Sequence, residues 1–97
     1  MKLRLLITDG VQDKLSKKHS VTRTEVVQCF ANKLGRLLQD DREEHRTDPP
    51  TLWFIAETDA GRELKIIFVR EEGVVFLKSA YPPDEVERRI YNSKAFY

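Results

Sequence analysis

Residues 51–81 read TLWFIAETDAGRELKIIFVREEGVVFLKSAY, and the way this stretch divides decides the fold. Thr51–Thr58, Glu63–Val69 and Val74–Ala80 are apolar runs of strand length, rich in β-branched and aromatic residues. Between them stand Asp59-Ala60-Gly61 and Glu71-Glu72-Gly73, each placing a glycine where a short hairpin loop needs positive φ. The stretch predicts a three-stranded antiparallel meander. The rest of the chain then serves as cover for its faces or as extra strands at its edges.

A strand turns alternate residues to opposite faces, so the meander has two distinct surfaces. Leu52, Phe54, Ala56, Leu64, Ile66 and Phe68 make a dry one. Trp53, Ile55, Glu57, Glu63, Lys65 and Ile67 make an apolar surface with charges set into it. That second face is too apolar for bulk water and too charged for a core. It reads either as a groove for a partner or substrate, or as a face covered by a helix with polar edges. The register of the third strand is open. If Val69 pairs with Val74, Lys78 lies opposite Lys65. If Arg70 pairs with Val74, Ser79 and Tyr81 join Lys65 on the groove face and Lys78 turns toward the core side. Lys65 is on the groove face in both cases.

Outward from the meander, Lys2–Thr8 alternates enough for a short edge strand. Asp9 then reads as the N-cap of a helix through about Lys18, with Lys14, Lys17 and Lys18 on its outer surface. Thr22 and Glu25 form a capping box, with Val21 and Val26 as its hydrophobic staple. The helix they open has Val26, Val27, Phe30, Ala31 and Leu34 on one face and Gly35 as a left-handed stop. Arg36–Asp40 reads as a strand that begins the sheet. Asp41–Pro50 reads as a polar, acidic loop containing His45. Pro82-Pro83 ends the last strand and starts a terminal helix, with Val86 and Ile90 facing inward and the pairs Asp84–Arg88 and Glu85–Arg89 on its surface. The order is β-α-α-β-β-β-β-α: one α+β domain spanning 1–97, whose antiparallel sheet has four or five strands, with two N-terminal helices and one C-terminal helix.

Composition narrows the function. At 97 residues the chain closes one core without staples. Its single cysteine, Cys29, excludes an internal disulfide and reads as a buried, inert thiol. No apolar run approaches membrane-spanning length, and MKLRLLITDG is interrupted too soon by Asp9 to read as a signal peptide, so the expected location is the cytoplasm with no membrane partner. Net charge is only +1, but it is polarised: residues 1–39 carry eight Lys/Arg against three Asp/Glu, and residues 40–59 carry two against seven. A basic first third can meet a phosphate backbone; the plainer reading is solvated helix faces. His19, His45 and Cys29 lack the spacing of metal ligands, and no Gly-rich phosphate loop is present, so neither metal nor cofactor is expected. The cluster Asp40, Asp41, Glu43 and Glu44 reads as a solvated loop rather than a cation site.

The remaining polar constellation is Glu57, Arg62, Lys65, Lys78 and Tyr81 on the meander, with Arg88 and Tyr91 on the last helix. Cutting RNA without a metal needs a base for the 2′-hydroxyl, a cation for the phosphorane and an acid for the leaving oxygen. Lys, Arg, Tyr, Glu and His can divide those tasks, and Trp53 can stack a base. Each residue also has a plain structural use: Arg88 pairing with Asp84, Tyr91 packing on the sheet, Arg62 flanking a turn, His19 serving as a favourable charge at a helix end.

Several ordered strings resemble the BrnT toxins of bacterial type II toxin–antitoxin modules, in the RelE/ParE superfamily. They are Lys18-His19-Ser20-Val21 before a helix starting at Thr22, Phe30, the strand containing Asp40, Gly61-Arg62, Ser79-Ala80, and Glu87-Arg88-Arg89-Ile90-Tyr91. The resemblance implies a RelE/ParE-like fold and a small endoribonuclease that inhibits translation by cutting RNA, ribosome-bound mRNA among its targets. It also implies a cognate antitoxin as partner, with Lys18, His19, Arg62, Arg88 and Tyr91 in family-like positions. The chain departs from the family in ending its last strand Ser79-Ala80-Tyr81 rather than Ser-Ala-Arg, and in having Pro49-Pro50 and the Thr51-Leu52-Trp53 region where a basic residue is expected. The expected division of labour places Lys65 and Arg62 on phosphate charge, Glu57 or His19 as base, and Tyr81 or Tyr91 as acid, with Lys78, Arg88, Lys18 and Trp53 holding RNA. The alternative is a protein-binding module of the same fold without activity.

Overall fold

The computed structural model describes residues 3–40 and 48–96. Its order of elements is β1 (Leu5–Leu6), α1 (Asp9–Lys14, continued by a π-helical turn over Leu15–His19), α2 (Arg23–Asn32), β2 (Leu38–Gln39), β3 (Thr51–Glu57), β4 (Glu63–Glu71), β5 (Val74–Tyr81) and α3 (Glu85–Ala95). The strands form one five-stranded sheet in the order β1-β5-β4-β3-β2. The meander β3-β4-β5 is its centre, as the sequence predicts, with β2 antiparallel on one edge. The sheet is mixed rather than purely antiparallel, because β1 runs parallel to β5.

The β4–β5 turn corrects both expected registers. Glu72 (φ 52°) and Gly73 (φ 79°) are its two central residues, and Glu71 pairs with Val74. Two successive positive φ values are what a two-residue hairpin needs to follow strand twist. The pairing then slips by one residue at a β-bulge: Phe68 faces Leu77, but Ile67 faces Ser79 and Lys65 faces Tyr81. Lys78 is the extra residue, and it is exposed. The bulge resets the alternation of β5, so Leu77 and Ala80, three apart, are both buried. Ser79 and Tyr81 thereby share a face with Lys65.

Helices cover both faces of the sheet. Phe30 of α2 sets its ring edge-on to Phe54 (4.9 Å) and Phe68 (5.2 Å), and the Cys29 thiol donates to the Ala56 carbonyl at 3.6 Å. Leu15, Val21 and Val26 are fully buried with them, so the capping box at Thr22 and its staple start the helix as the sequence predicts. The stripe of α2 is Val26, Cys29 and Phe30 rather than the one running on to Leu34. The helix ends at Asn32, leaving Val27 and Leu34 exposed. Thr8, not Asp9, caps α1.

Gly35 is a close-approach glycine rather than a left-handed stop. A Cβ there would lie 2.6 Å from the Tyr91 hydroxyl and 2.9 Å from Ala95 Cβ. Next to it the Arg36 amide donates to the Ala95 carbonyl at 3.0 Å. This close fit seats the C-terminal half of α3 on the other face of the sheet. The inward residues of α3 are Glu87, Tyr91 and Ala95, at i, i+4 and i+8, while Val86 (59% exposed) and Ile90 (40%) point outward. The expected orientation is thus turned, because Tyr91 packs at a tilt against Trp53 (ring centroids 5.7 Å) and Glu87 reaches Lys65. Of the acidic loop expected over Asp41–Pro50, residues 41–47, which include His45, lie outside the described ones, and 48–50 lead into β3 without helix or strand.

Candidate functional site

The α3 side of the sheet gathers four of the sequence-predicted residues into one cluster. Lys65 projects from the middle of β4 and is 8% exposed. Its ammonium sits 4.5 Å from the Trp53 ring centroid and 5.8 Å from that of Tyr81, so it rests between two π-faces. Tyr81, directly opposite Lys65 on β5, is met from the other side by His19, with ring centroids 5.5 Å apart. His19 arrives there because the π-helical turn ends in a left-handed Ser20 (φ 51°), and Lys18 beside it is exposed.

A fifth member, Glu87, organises the others. Its Oε2 accepts from Lys65 Nζ at 2.7 Å and from the Tyr81 hydroxyl at 2.9 Å, while its Oε1 accepts from the Asp84 amide at 3.0 Å. Glu87 is therefore the third helical residue of a capping box whose N-cap is Asp84, and the anion of the cluster too. Burial pushes its carboxyl up, but hydrogen bonds from Lys65, the Asp84 amide and Tyr81, with the charge of Lys65, outweigh that and hold it below the ordinary range. Beside the cluster a cavity of about 590 Å³ is lined by residues that include Leu38, Asp40, Trp53, Lys65, Glu87 and Lys94.

Other sequence-predicted residues stand elsewhere. Arg62 is committed: its guanidinium donates to the His19 and Ser20 carbonyls, both at 2.8 Å, and to the Glu25 carboxylate at 3.1 Å. It clasps the start of β4 to the end of the π-turn and the start of α2, and so fixes His19 in place. Burial pushes the Glu25 carboxyl up, but bonds from the Thr22 backbone and Arg62 hold it below the usual range. Glu57 ends β3 opposite Glu63, exposed, and lines a second cavity of about 620 Å³ with Asn32, Asp59 and Glu63. Arg88 pairs with Glu63 and with Glu85 at 3.5 Å. Tyr91 is 2% exposed, and its hydroxyl lies near the Ile55 backbone without a well-formed hydrogen bond; burial raises its pKa. Lys78 stands out on the bulge. The Cys29 thiol is fully buried and pushed up to about 12 by that burial, which keeps it protonated and inert.

Sequence reasoning missed Glu87 as a site residue. The signal was present in the Asp84-Glu85-Val86-Glu87 spacing, a capping box that fixes where α3 begins and which carboxylate turns back toward the sheet.

The fold and the cluster define an α+β domain with a lysine, a tyrosine and a carboxylate bound together under its terminal helix. No protein-family model matches the chain, and no curated protein does. Among the described residues no helix is long and apolar enough to cross a membrane, and no group of three or more His, Cys, Asp or Glu is placed to hold a metal ion.

Proposed function

We propose that the chain is a RelE/ParE-like toxin of the BrnT kind: a cytoplasmic endoribonuclease that cuts RNA without a metal and is neutralised by a cognate antitoxin. The observation that carries this reading is the gathering of His19 and Lys65 around the Tyr81 ring, from three separate stretches of sequence, with Lys65 also lining an open cavity. In the proposed reaction His19 takes the proton of the 2′-hydroxyl, and the freed oxygen attacks the adjacent phosphorus. Lys65 stabilises the charge that develops on the phosphorane oxygens, and Tyr81 gives its proton to the departing 5′-oxygen, leaving a cyclic phosphate. Lys18, next to His19, and Lys78, exposed on β5, are available to the RNA backbone. Arg62 acts through position, by holding the carbonyl of His19, and Tyr91 by packing on Trp53. Glu57 and Arg88 face the other cavity or Glu63, which leaves His19 as the proposed base.

Induction of the gene is expected to arrest growth with cleaved transcripts, and Lys65→Ala is expected to relieve both. Intact RNA under purified wild-type protein, with and without ribosomes, would remove the nuclease reading. A second reading, a protein-binding module without activity, is favoured by one observation: the Lys65 charge is already neutralised by Glu87. It expects expression without arrest and a stable complex with a partner protein.

A further inference from the structure

We infer that the Lys65–Tyr81 pair is an oxyanion-binding site whose resident anion is the chain's own Glu87, so that a phosphate group must displace Glu87 to bind. This rests on the proposed function and names how that same site is held closed.

The geometry is that of an occupied anion site. One carboxylate oxygen takes both the ammonium of Lys65, at 2.7 Å, and the hydroxyl of Tyr81, at 2.9 Å. The other takes the Asp84 amide at 3.0 Å. Two oxygens on one centre thus receive three donors, as two free oxygens of a phosphate ester would. A lysine that is 8% exposed and a tyrosine converging on one point leave a single place for negative charge, and Glu87 fills it. The cavity next to the pair supplies room for a ligand, and Lys65 and Glu87 both line it. Among the described residues, Asp40, Asp84 and Glu87 line that cavity with Lys65 and Lys94. An incoming phosphate meets the Glu87 carboxylate at the Lys65 ammonium until Glu87 swings away.

The helix is built to allow this. Its C-terminal half is seated by Tyr91 on Trp53 and by the close fit of Gly35 against Tyr91 and Ala95, with the Arg36 amide bonded to the Ala95 carbonyl. Its N-terminal half exposes Val86 and is held to the sheet by the polar contacts of Glu87 and Arg88. Polar contacts can be exchanged for equivalent ones with a ligand at small net cost, which packed apolar surface does not permit.

Trp53 is the chain's single tryptophan and lies against Lys65, so its fluorescence reports the site directly. The experiment titrates the 97-residue chain with inorganic phosphate, then with a short single-stranded RNA and with a mononucleotide. It compares wild type, Glu87→Gln, and Glu87→Gln combined with Lys65→Met. Gln at the third helical position keeps the capping box while removing the charge, and helicity by circular dichroism checks that α3 persists. The expected result is phosphate binding at least about tenfold tighter in Glu87→Gln, from loss of a competing charge-assisted hydrogen bond, and return to wild-type weakness or below in the double variant. Tighter RNA binding without tighter inorganic phosphate binding would place the gain outside this pair and overturn the inference. So would equal phosphate affinity in wild type and Glu87→Gln. Tighter phosphate binding without RNA cleavage by any variant would sink the nuclease reading and support the anion site. Cleavage with unchanged phosphate affinity would do the reverse.

Discussion

On the side of α1 and α2 the sheet presents Phe54, Leu64, Ile66 and Phe68, all at 0% exposure, to Leu15, Val26 and Phe30. On the α3 side it presents Trp53, Lys65 and Tyr81, and the helix answers with Tyr91 and Glu87. The first interface is apolar and non-directional, so its strength scales with area removed from water. The second depends on a few directional bonds, each of modest net worth and each replaceable by a ligand. Stability is therefore concentrated on one side of a thin sheet and exchangeable chemistry on the other.

That contrast can be broken at its strong side first. Phe68→Ala is expected to cost about 3–5 kcal/mol, the usual cost of emptying a packed aromatic site, read as a lower denaturation midpoint at unchanged slope. A loss below about 1 kcal/mol would show that the dry face does not carry the fold. Gly35→Ala tests the seat of α3. The new methyl meets the Tyr91 hydroxyl, Ala95 and Phe96 at once, and an expected loss of about 1–3 kcal/mol should come with faster amide exchange in α3 than in α2. Equal exchange in the two helices would mean that α3 is not separately anchored.

Smaller effects sharpen the polar side. Lys65→Met and Glu87→Gln, combined in a double-mutant cycle, are expected to show a coupling of about 1–2 kcal/mol, and none would mean that the pair does not hold α3. Acid should act on both faces. Glu25 and Glu87 are ordinary carboxyls near 4.5 when unfolded and lie lower when folded. Their contribution to stability is therefore complete above that value and lost as pH falls through the lower folded one. Denaturation midpoints should fall below about pH 4.5, and the slope should flatten in the Glu25→Gln and Glu87→Gln variants. Smallest of all, a thiol reagent should label Cys29 only at the rate of unfolding, so rapid labelling of the native protein would contradict its burial under α2.

The sequence already contained the contrast between the faces. Period-two alternation in Leu52–Phe68 separates a dry surface from a charged one, and the Thr22–Glu25 capping box marks the start of α2. Three features escaped it for physical reasons. The bulge at Lys78 is not written in local propensity; it follows from the demand that Leu77 and Ala80 both reach the core. The roll of α3 departs from the pattern because Val86 and Ile90 look like the inward pair, whereas specific bonds and the Trp53–Tyr91 ring contact favour Glu87 and Tyr91. Gly35 looked like a helix stop because its neighbours in space, Tyr91 and Ala95, are far away in sequence. Of the candidate site, the alternation places Lys65 and Trp53 on one face, and adds Tyr81 only in the register that pairs Arg70 with Val74. His19 joined them through a left-handed residue and an arginine clasp that no local pattern announces.

The outermost strands have a consequence of their own. Among the described residues β1 and β2 are two residues each, Leu5–Leu6 and Leu38–Gln39, so the sheet ends on both sides in a stub rather than a ladder. A second chain seeking to extend the hydrogen-bonded array finds only a short template in them, which works against edge-to-edge pairing between copies.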